Sequence, residues 1–136
     1  MFALYLSDGI KTDIRNILAL DPDAGSDILV VLQELESGNQ ALLDSLTDHE
    51  YSGQFPSTGL AYNVKHWWEH FRKGKNLWRL RILNSSTLHA YRIVYGYSQT
   101  EQAYYILGAV SRDFNYDPNH SISRRMLAEY ENLCNW

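Results

Sequence analysis

Three strand-like runs in the second half of the chain constrain its fold more than any other feature. LWRLRIL alternates large apolar side chains with Arg79 and Arg81, which is the period-2 pattern of a half-buried strand. HAYRIVYGY and QAYYILGAV are rich in aromatic and β-branched residues, and the polar segment SQTE joins them as a hairpin turn would. The pattern therefore predicts a three-stranded antiparallel meander within residues 77–112.

Helical periodicity flanks these strands on both sides. IKTDIRNILAL ends before Pro22, DAGSDILVVLQELE ends at Gly38, and NQALLDSLTDHE predicts a third, short helix. After the strands, SISRRMLAEYENL repeats apolar residues at helical spacing, which predicts a C-terminal helix over residues 121–133. Phe2–Leu6 is predicted as a short edge strand.

Length and composition favour a single domain. A chain of 136 residues with 45% hydrophobic side chains can bury about two-thirds of its unfolded surface in one core. The order of elements predicts an α+β fold with an N-terminal strand and helices, a three-stranded meander and a C-terminal helix. MFALYLSDGIK has no basic segment, and its apolar run is too short for an export signal or a membrane span, so we expect a cytoplasmic protein. Cys134 is the single cysteine, which excludes an internal disulfide.

Residues 51–76 interrupt this order. YSGQFPSTGLA is dense in Gly, Ser and Pro, which predicts a loop. YNVKHWWEHFRKGKN then interleaves aromatic and basic residues, and we predict an amphipathic stretch whose rings pack while its cations stay in solvent. Such a composition also suits RNA, because rings stack on bases and cations follow phosphates. Lys73 and Lys75 are therefore candidate RNA-binding residues.

The segment HWWEH fits the H-x-x-E-H pattern of one class of zinc peptidases. On a helix, His66 and His70 would share one face and Glu69 would serve as the base. The sequence marks no third ligand, so a metal-dependent hydrolase is the weaker interpretation. We predict no metal and no other cofactor.

Charge is divided unequally between the two halves of the chain. Residues 1–63 carry two bases and ten acids, a net charge of −8, whereas residues 64–136 carry ten bases and six acids, a net charge of +4. Such a split is typical of chains in which one part binds a polyanion, although two solvated faces of opposite sign would produce the same numbers.

The runs NLWRLRI, AYRIVYGY and QAYYILGAVSRD, followed by a helix, resemble the strand core of the RelE/ParE superfamily, the toxins of bacterial type II toxin–antitoxin modules. The resemblance covers nearly the whole chain, with residues 51–73 as an insertion. Arg79, Arg81, Arg92 and Arg112 match the basic positions of the RelE-like branch. The resemblance implies a RelE-like fold and a toxin that inhibits translation by cleaving messenger RNA in the ribosomal decoding site.

The resemblance also implies roles for these arginines. Arg92 and Arg112 would hold the scissile phosphate without a metal, because guanidinium groups stabilise the charge that grows on its oxygens. Arg79 and Arg81 share one strand face and would bind flanking phosphates by charge. Each of them would otherwise be an ordinary solvated residue on a strand surface.

The proton transfers are harder to assign by resemblance. Some members carry Lys or Glu where this chain has Arg79 and Arg81, and an arginine is a poor base because it keeps its proton. The loop DFNYDPNH supplies Tyr116 and His120 as candidate catalytic residues, with Asp117 as an orienting group. A structural turn before the last helix is the alternative interpretation of this loop.

The register of the last two strands is open at this level. A pairing in which residue numbers sum to 200 places Arg92 opposite Gly108 and on the same face as Arg112, whereas a sum of 199 separates the two arginines. Only the first of these registers would build a joint site.

The implied partners are a cognate antitoxin protein that covers the basic sheet, the ribosome and messenger RNA, with no membrane. The acidic first half opposes docking to ribosomal RNA. A RelE/ParE-fold binding protein without nuclease activity is therefore an alternative, as is a ParE-like inhibitor of DNA gyrase, although that branch does not need the pair of Arg92 and Arg112.

Overall fold

The computed structural model describes residues 1–67, 74–114 and 119–133, which form a mixed α+β fold. Its strands are β1 (Ala3–Leu6), β2 (Ser52–Gln54), β3 (Ala61–His66), β4 (Leu77–Ile82), β5 (Tyr91–Ser98) and β6 (Ala103–Ser111). Its helices are α1 (Asp8–Leu20), α2 (Pro22–Glu36), α3 (Gln40–Ser45) and α4 (Ser121–Leu133), and a 3₁₀ turn covers Arg112–Phe114. The predicted first strand, the three helices after it and the C-terminal helix are confirmed.

The strands of the described ranges join one six-stranded sheet in the order β1-β6-β5-β4-β3-β2. β1 runs parallel to β6, and every other neighbouring pair is antiparallel. The strands β4, β5 and β6 lie where the alternating pattern predicted strands, but they are only the centre of a wider sheet.

The prediction of a loop and an amphipathic segment across residues 51–76 was wrong for its first part, which is the β2–β3 hairpin. β3 alternates buried Tyr62 and Val64 with the less buried Asn63 and Lys65. The two-residue period of a strand is thus present in AYNVKH, but the Gly and Pro residues around it obscured the pattern.

Glu34 on α2 explains how this Gly- and Pro-rich segment keeps a defined path. Its buried carboxylate accepts hydrogen bonds from the backbone N–H groups of Ser57 at 2.6 Å and Thr58 at 3.2 Å, and from the Thr58 hydroxyl at 2.9 Å. Hydrogen bonds to an ionised carboxylate are stronger than neutral ones, so α2 anchors the connection between β2 and β3.

Different helices pack on the two faces of the sheet. On one face, α1, α2 and α3 pack against alternate strand residues such as Leu80 and Ile93 and form the larger apolar core. On the other face, Met126 and Tyr130 of α4 pack against residues such as Leu107. Within the described ranges α4 lies mainly over β6, and its Tyr130 also belongs to the cluster that contains Leu77 at the start of β4.

A β-bulge at Leu107 sets the register between β5 and β6. Val94 pairs with Gly108, whereas the next residue along β5 pairs with Ile106, so Leu107 has no partner residue on β5. The structure therefore has neither of the two uniform registers considered from the sequence.

Candidate nucleic-acid interface

Four cations lie on the sheet face opposite α1 and α2. Arg79 and Arg81 alternate with buried residues of β4, while Arg92 and Lys65 do so on β5 and β3. Because successive side chains of a strand point to opposite faces, the apolar neighbours enter the larger core and the cations project to the other side. We call Lys65, Arg79, Arg81 and Arg92 the basic face.

The basic face places like charges directly opposite one another. Lys65 pairs with Arg79 between β3 and β4, and Arg81 pairs with Arg92 between β4 and β5. Residues opposed in this way have Cβ atoms about 4.5–5.5 Å apart, and two positive charges at that distance oppose folding.

Neutral acceptors orient two of the guanidinium groups. Arg79 Nη1 donates to Asn63 Oδ1 at 3.0 Å. Arg92 Nη1 donates to the carbonyl oxygens of His89 at 2.9 Å and Tyr91 at 3.0 Å. These hydrogen bonds hold the two guanidinium groups in defined orientations on the sheet.

Arg81 differs from an ordinary surface arginine. Its Nε atom is buried and has no hydrogen-bond partner among the described residues. A buried donor without a partner costs stability, and a phosphate oxygen would satisfy it with a charge-assisted hydrogen bond. This atom argues against the interpretation of β4 as a merely solvated surface.

Arg112 lies beside Arg92 at one end of the β5–β6 hairpin. Arg92 pairs with Val110, and the Arg112 amide donates to the Ala90 carbonyl at 2.7 Å, so the pairing continues one residue beyond β6. Arg112 is therefore a diagonal neighbour of Arg92, a relation that separates Cα atoms by about 7–8 Å. The exposed Arg112 borders the basic face.

The chain after Arg112 folds back over the same side of the sheet. Phe114 is buried with the residues under α4, and its ring meets Trp67 edge-on with the centroids 6.3 Å apart. His120 in turn meets Phe114 edge-on at 5.2 Å. The two ring contacts bring His120 to the side of the sheet that carries the basic face.

His120 was predicted to transfer a proton, and its ring also has a structural contact. Its Nδ1 atom lies 3.1 Å from the backbone nitrogen of Ile122 and accepts that N–H at the start of α4. In a neutral imidazole an accepting Nδ1 requires the proton to be on Nε2. Donation of a proton by His120 requires the imidazolium form, in which Nδ1 is protonated and cannot accept the Ile122 N–H. Tyr116 and Asp117 lie outside the described residues.

Of the two lysines predicted to bind RNA, the structure describes Lys75, which forms an ion pair with α4. Lys75 Nζ lies 2.5 Å from Glu131 Oε1 of α4, and this ion pair competes with a phosphate for the lysine. Lys73 belongs to residues 68–73, which lie outside the described ranges.

Lys65 is the member of the basic face that the sequence analysis did not assign to the site. The signal that could have identified it is the alternation of Tyr62 and Val64 with Asn63 and Lys65 in AYNVKH. A strand there, next to LWRLRIL, would have placed Lys65 beside Arg79.

His66 of the HWWEH segment points away from the basic face. Its ring stacks on those of Trp78 and His49, with centroid distances of 3.8 and 4.7 Å. Burial, and after it the neighbouring His49, lowers the pKa of His66, so the ring is neutral near neutral pH. The described residues contain no group of three His, Cys, Asp or Glu side chains that could hold a metal ion, and Glu69 and His70 lie outside them.

Comparisons of the chain with protein-family models, with characterised proteins and with solved structures returned no match. Within the described ranges, every helix is too short or too polar to cross a membrane. The functional interpretation therefore depends on the basic face and on the chemistry that its groups support.

Proposed function

We propose that the protein is a metal-independent endoribonuclease that cleaves messenger RNA on the ribosome, with the basic face as its RNA site. The observation that carries this proposal is the opposition of like charges, Lys65 with Arg79 and Arg81 with Arg92, on the sheet face opposite α1 and α2. A phosphate backbone neutralises such a set of cations and releases its own counterions, which favours binding.

The resemblance to the RelE-like branch supports the same proposal. A strand and two long helices precede β4, β5 and β6, and one helix follows them, which is the order of elements that the resemblance implied. The β2–β3 hairpin would be an addition at the edge of that arrangement, and it contributes Lys65 to the basic face. A cognate antitoxin would then be an acidic segment that covers the basic face and excludes RNA.

The reaction needs no metal. The 2′-oxygen of one ribose attacks the adjacent phosphorus, the P–O5′ bond breaks, and the products carry a 2′,3′-cyclic phosphate and a 5′-hydroxyl. Preorganised guanidinium groups stabilise the negative charge that increases on the phosphoryl oxygens. Arg92 and Arg112, as diagonal neighbours, are assigned to the scissile phosphate. Arg79, Arg81 and Lys65 are assigned to the flanking phosphates.

Two protons move in this reaction. The leaving 5′-oxygen gains one, and His120 is assigned as its donor in the imidazolium form, which has to give up the hydrogen bond from the Ile122 N–H. The attacking 2′-hydroxyl loses the other, and the arginines cannot accept it. Tyr116 is the predicted base in the loop.

Cleavage of a defined messenger RNA on programmed ribosomes, with excess chelator, tests the proposal. The wild-type protein is compared with Arg112→Ala and with Arg15→Ala, a control that removes an exposed cation from α1 on the far side of the sheet. We expect cuts in the decoding site from the wild type and the control, and about 10²-fold slower cutting by Arg112→Ala. Equal cutting by Arg112→Ala, or loss of cutting in chelator, would contradict the proposal.

A binding protein without nuclease activity is the second candidate. The observation that favours it is the Nδ1 contact of His120, which makes that ring part of the start of α4. The basic face would then bind RNA, or an acidic partner segment, without breaking a bond. Folded protein whose RNA affinity depends on Arg81, but which cuts no RNA on ribosomes, would establish this alternative.

A further inference from the structure

Two side chains take the place of a missing strand beside the end of β6. β1 ends at Leu6, so the last part of β6 has no strand on that edge. Asp13 Oδ2 on α1 accepts the N–H of Ala109 at 3.0 Å, and Arg125 Nη2 on α4 donates to the carbonyl of Leu107 at 3.1 Å. The acceptor and the donor together satisfy the β6 backbone as a neighbouring strand would.

Asp13 and Arg125 also bind each other. The Nη1 and Nη2 atoms of Arg125 donate to the two carboxylate oxygens of Asp13 at 2.7 and 2.9 Å, a bidentate geometry with high directional specificity. The hydrogen bond with Asp13 outweighs burial and raises the pKa of Arg125. Glu129 lies 3.4 Å from Arg125 Nε and extends the network along α4. We call Asp13 and Arg125 the bulge clamp.

The bulge clamp acts on the residues that flank the bulge. Its two backbone contacts are the Leu107 carbonyl and the Ala109 N–H, and a Cβ atom on Gly108 between them would lie 2.9 Å from Arg125 Nη2 and 3.0 Å from Asp13 Oδ2. The clamp therefore packs directly on the bulged backbone and leaves no room for a side chain there.

The bulge decides which side chains of β6 share a face with Arg92. With the bulge, Arg92 pairs with Val110, and the hydrogen bond from the Arg112 amide to the Ala90 carbonyl continues this register to the first residue of the 3₁₀ turn. Without the bulge, the register that pairs Tyr95 with Ile106 would continue along the whole hairpin. Arg92 would then pair with Ala109, and Arg112 would fall on the opposite face of the sheet.

We propose that Asp13 and Arg125 are positioning residues that keep Arg112 beside Arg92 by holding the bulge in β6, an inference that rests on the proposed function of the basic face. Neither residue is assigned to touch RNA. The cations for flanking phosphates lie on β3 and β4, which the clamp does not contact through any described hydrogen bond. Loss of the clamp should therefore slow cleavage far more than it weakens RNA binding.

The experiment compares Asp13→Asn and Arg125→Lys with Gln40→Ala. Gln40 is a matched control, because its side chain also holds a strand backbone, accepting from the N–H of Phe2 at 2.6 Å and donating to its carbonyl at 3.2 Å. Single-turnover cleavage on ribosomes is measured beside affinity for a 2′-deoxy messenger that cannot be cut. For the two clamp variants we expect cleavage about 10²-fold slower, with affinity within about two-fold of the wild type.

Amide hydrogen exchange tests whether the clamp holds the register of β6, and it does so independently of whether the protein cleaves RNA. We expect the Arg112 amide to exchange faster in Asp13→Asn and Arg125→Lys but not in Gln40→Ala, because its partner is the Ala90 carbonyl across the hairpin. Folded clamp variants with unchanged exchange and cleavage would overturn the inference, as would an equal effect of Gln40→Ala. A wild-type protein that cuts no RNA would overturn the proposed function, and the exchange result would still decide whether the clamp holds the register.

Discussion

The two faces of the central sheet meet opposite physical demands, although alternate residues of the same strands form them. Leu80 and Ile93 are buried under the helices, where the removal of apolar surface from water stabilises the fold. On the other face, Arg79 lies opposite Lys65 and Arg81 lies opposite Arg92, so positive charges face one another across the strands. Stability thus comes mainly from the helix-covered face, which lets the basic face carry charges that oppose folding.

The separation of the two faces also bears on the acidic first half of the chain. The helices α1, α2 and α3, which carry most of its carboxylates, lie on the helix-covered face, whereas the basic face looks the other way. Exposed charges farther apart than roughly 8–10 Å are largely screened at physiological salt. A polyanion on the basic face is therefore shielded from the acidic helices by the sheet, and net charge alone is a poor argument against RNA binding.

The largest expected effect lies in the helix-covered core. Leu32 on α2 is 1% exposed and belongs to this core. Leu32→Ala should lower the free energy of unfolding by about 2–5 kcal/mol, because burial is lost and a cavity remains. Denaturant titration measures the change, and RNA affinity of the folded protein should be unaffected. A loss well below this range would show that the helix-covered face is not the main source of stability.

The part of the other face under α4 should be sensitive to added volume. A Cβ atom on Gly108 would lie 2.7 Å from Met126 Sδ and 2.9 Å from Arg125 Nη2. Gly108→Ala should therefore lower the free energy of unfolding by about 1–3 kcal/mol, measured by thermal unfolding. The double variant with Met126→Ala relieves one of the two contacts, so its loss should be smaller than the sum of the single losses. Strict additivity would contradict the steric explanation.

Arg81→Met tests whether the basic face serves binding at the expense of stability. The variant keeps a long apolar side chain but removes the repulsion with Arg92, so the free energy of unfolding should rise by about 0.2–1 kcal/mol. RNA affinity should fall about ten-fold, and the slope of log affinity against log salt should become shallower by about one. Titrations at several salt concentrations measure both, with Arg15→Met as the control. A destabilised variant with unchanged RNA affinity would assign Arg81 to the fold.

The smallest expected effect is a dependence of the free energy of unfolding on pH, which His66 on the helix-covered face produces. Burial holds the pKa of His66 in the folded protein below the ordinary histidine value of about 6.5, so at intermediate pH the unfolded chain binds more protons than the folded protein. Stability should therefore decrease as the pH falls below that value. His66→Phe keeps a ring on Trp78 and should flatten the dependence, measured by unfolding between about pH 5 and 7. An unchanged slope of the free energy of unfolding against pH would show that a group other than His66 causes the pH dependence.

Local patterns predicted much of the fold, and their failures have a physical cause. β4, β5 and β6 were predicted because their alternation is long and contains few breakers, and the shared face of Arg79 and Arg81 is confirmed. The β2–β3 hairpin was missed because β2 has only three residues, Gly and Pro residues obscure the pattern of β3, and the connection depends on Glu34, which lies 23 residues before Ser57. Lys65 was missed for the same reason.

By itself the sequence determined the periods of the strands and helices and the alternation that separates cations from core residues, because both depend on neighbours along the chain. Only the tertiary structure decided that Arg112 comes to lie beside Arg92. That juxtaposition depends on the bulge at Leu107, and one of the residues that hold the bulge, Asp13, is 96 residues from the amide it binds. A contact between such distant residues leaves no periodic signal, so the register of β6 had to be seen in the folded chain.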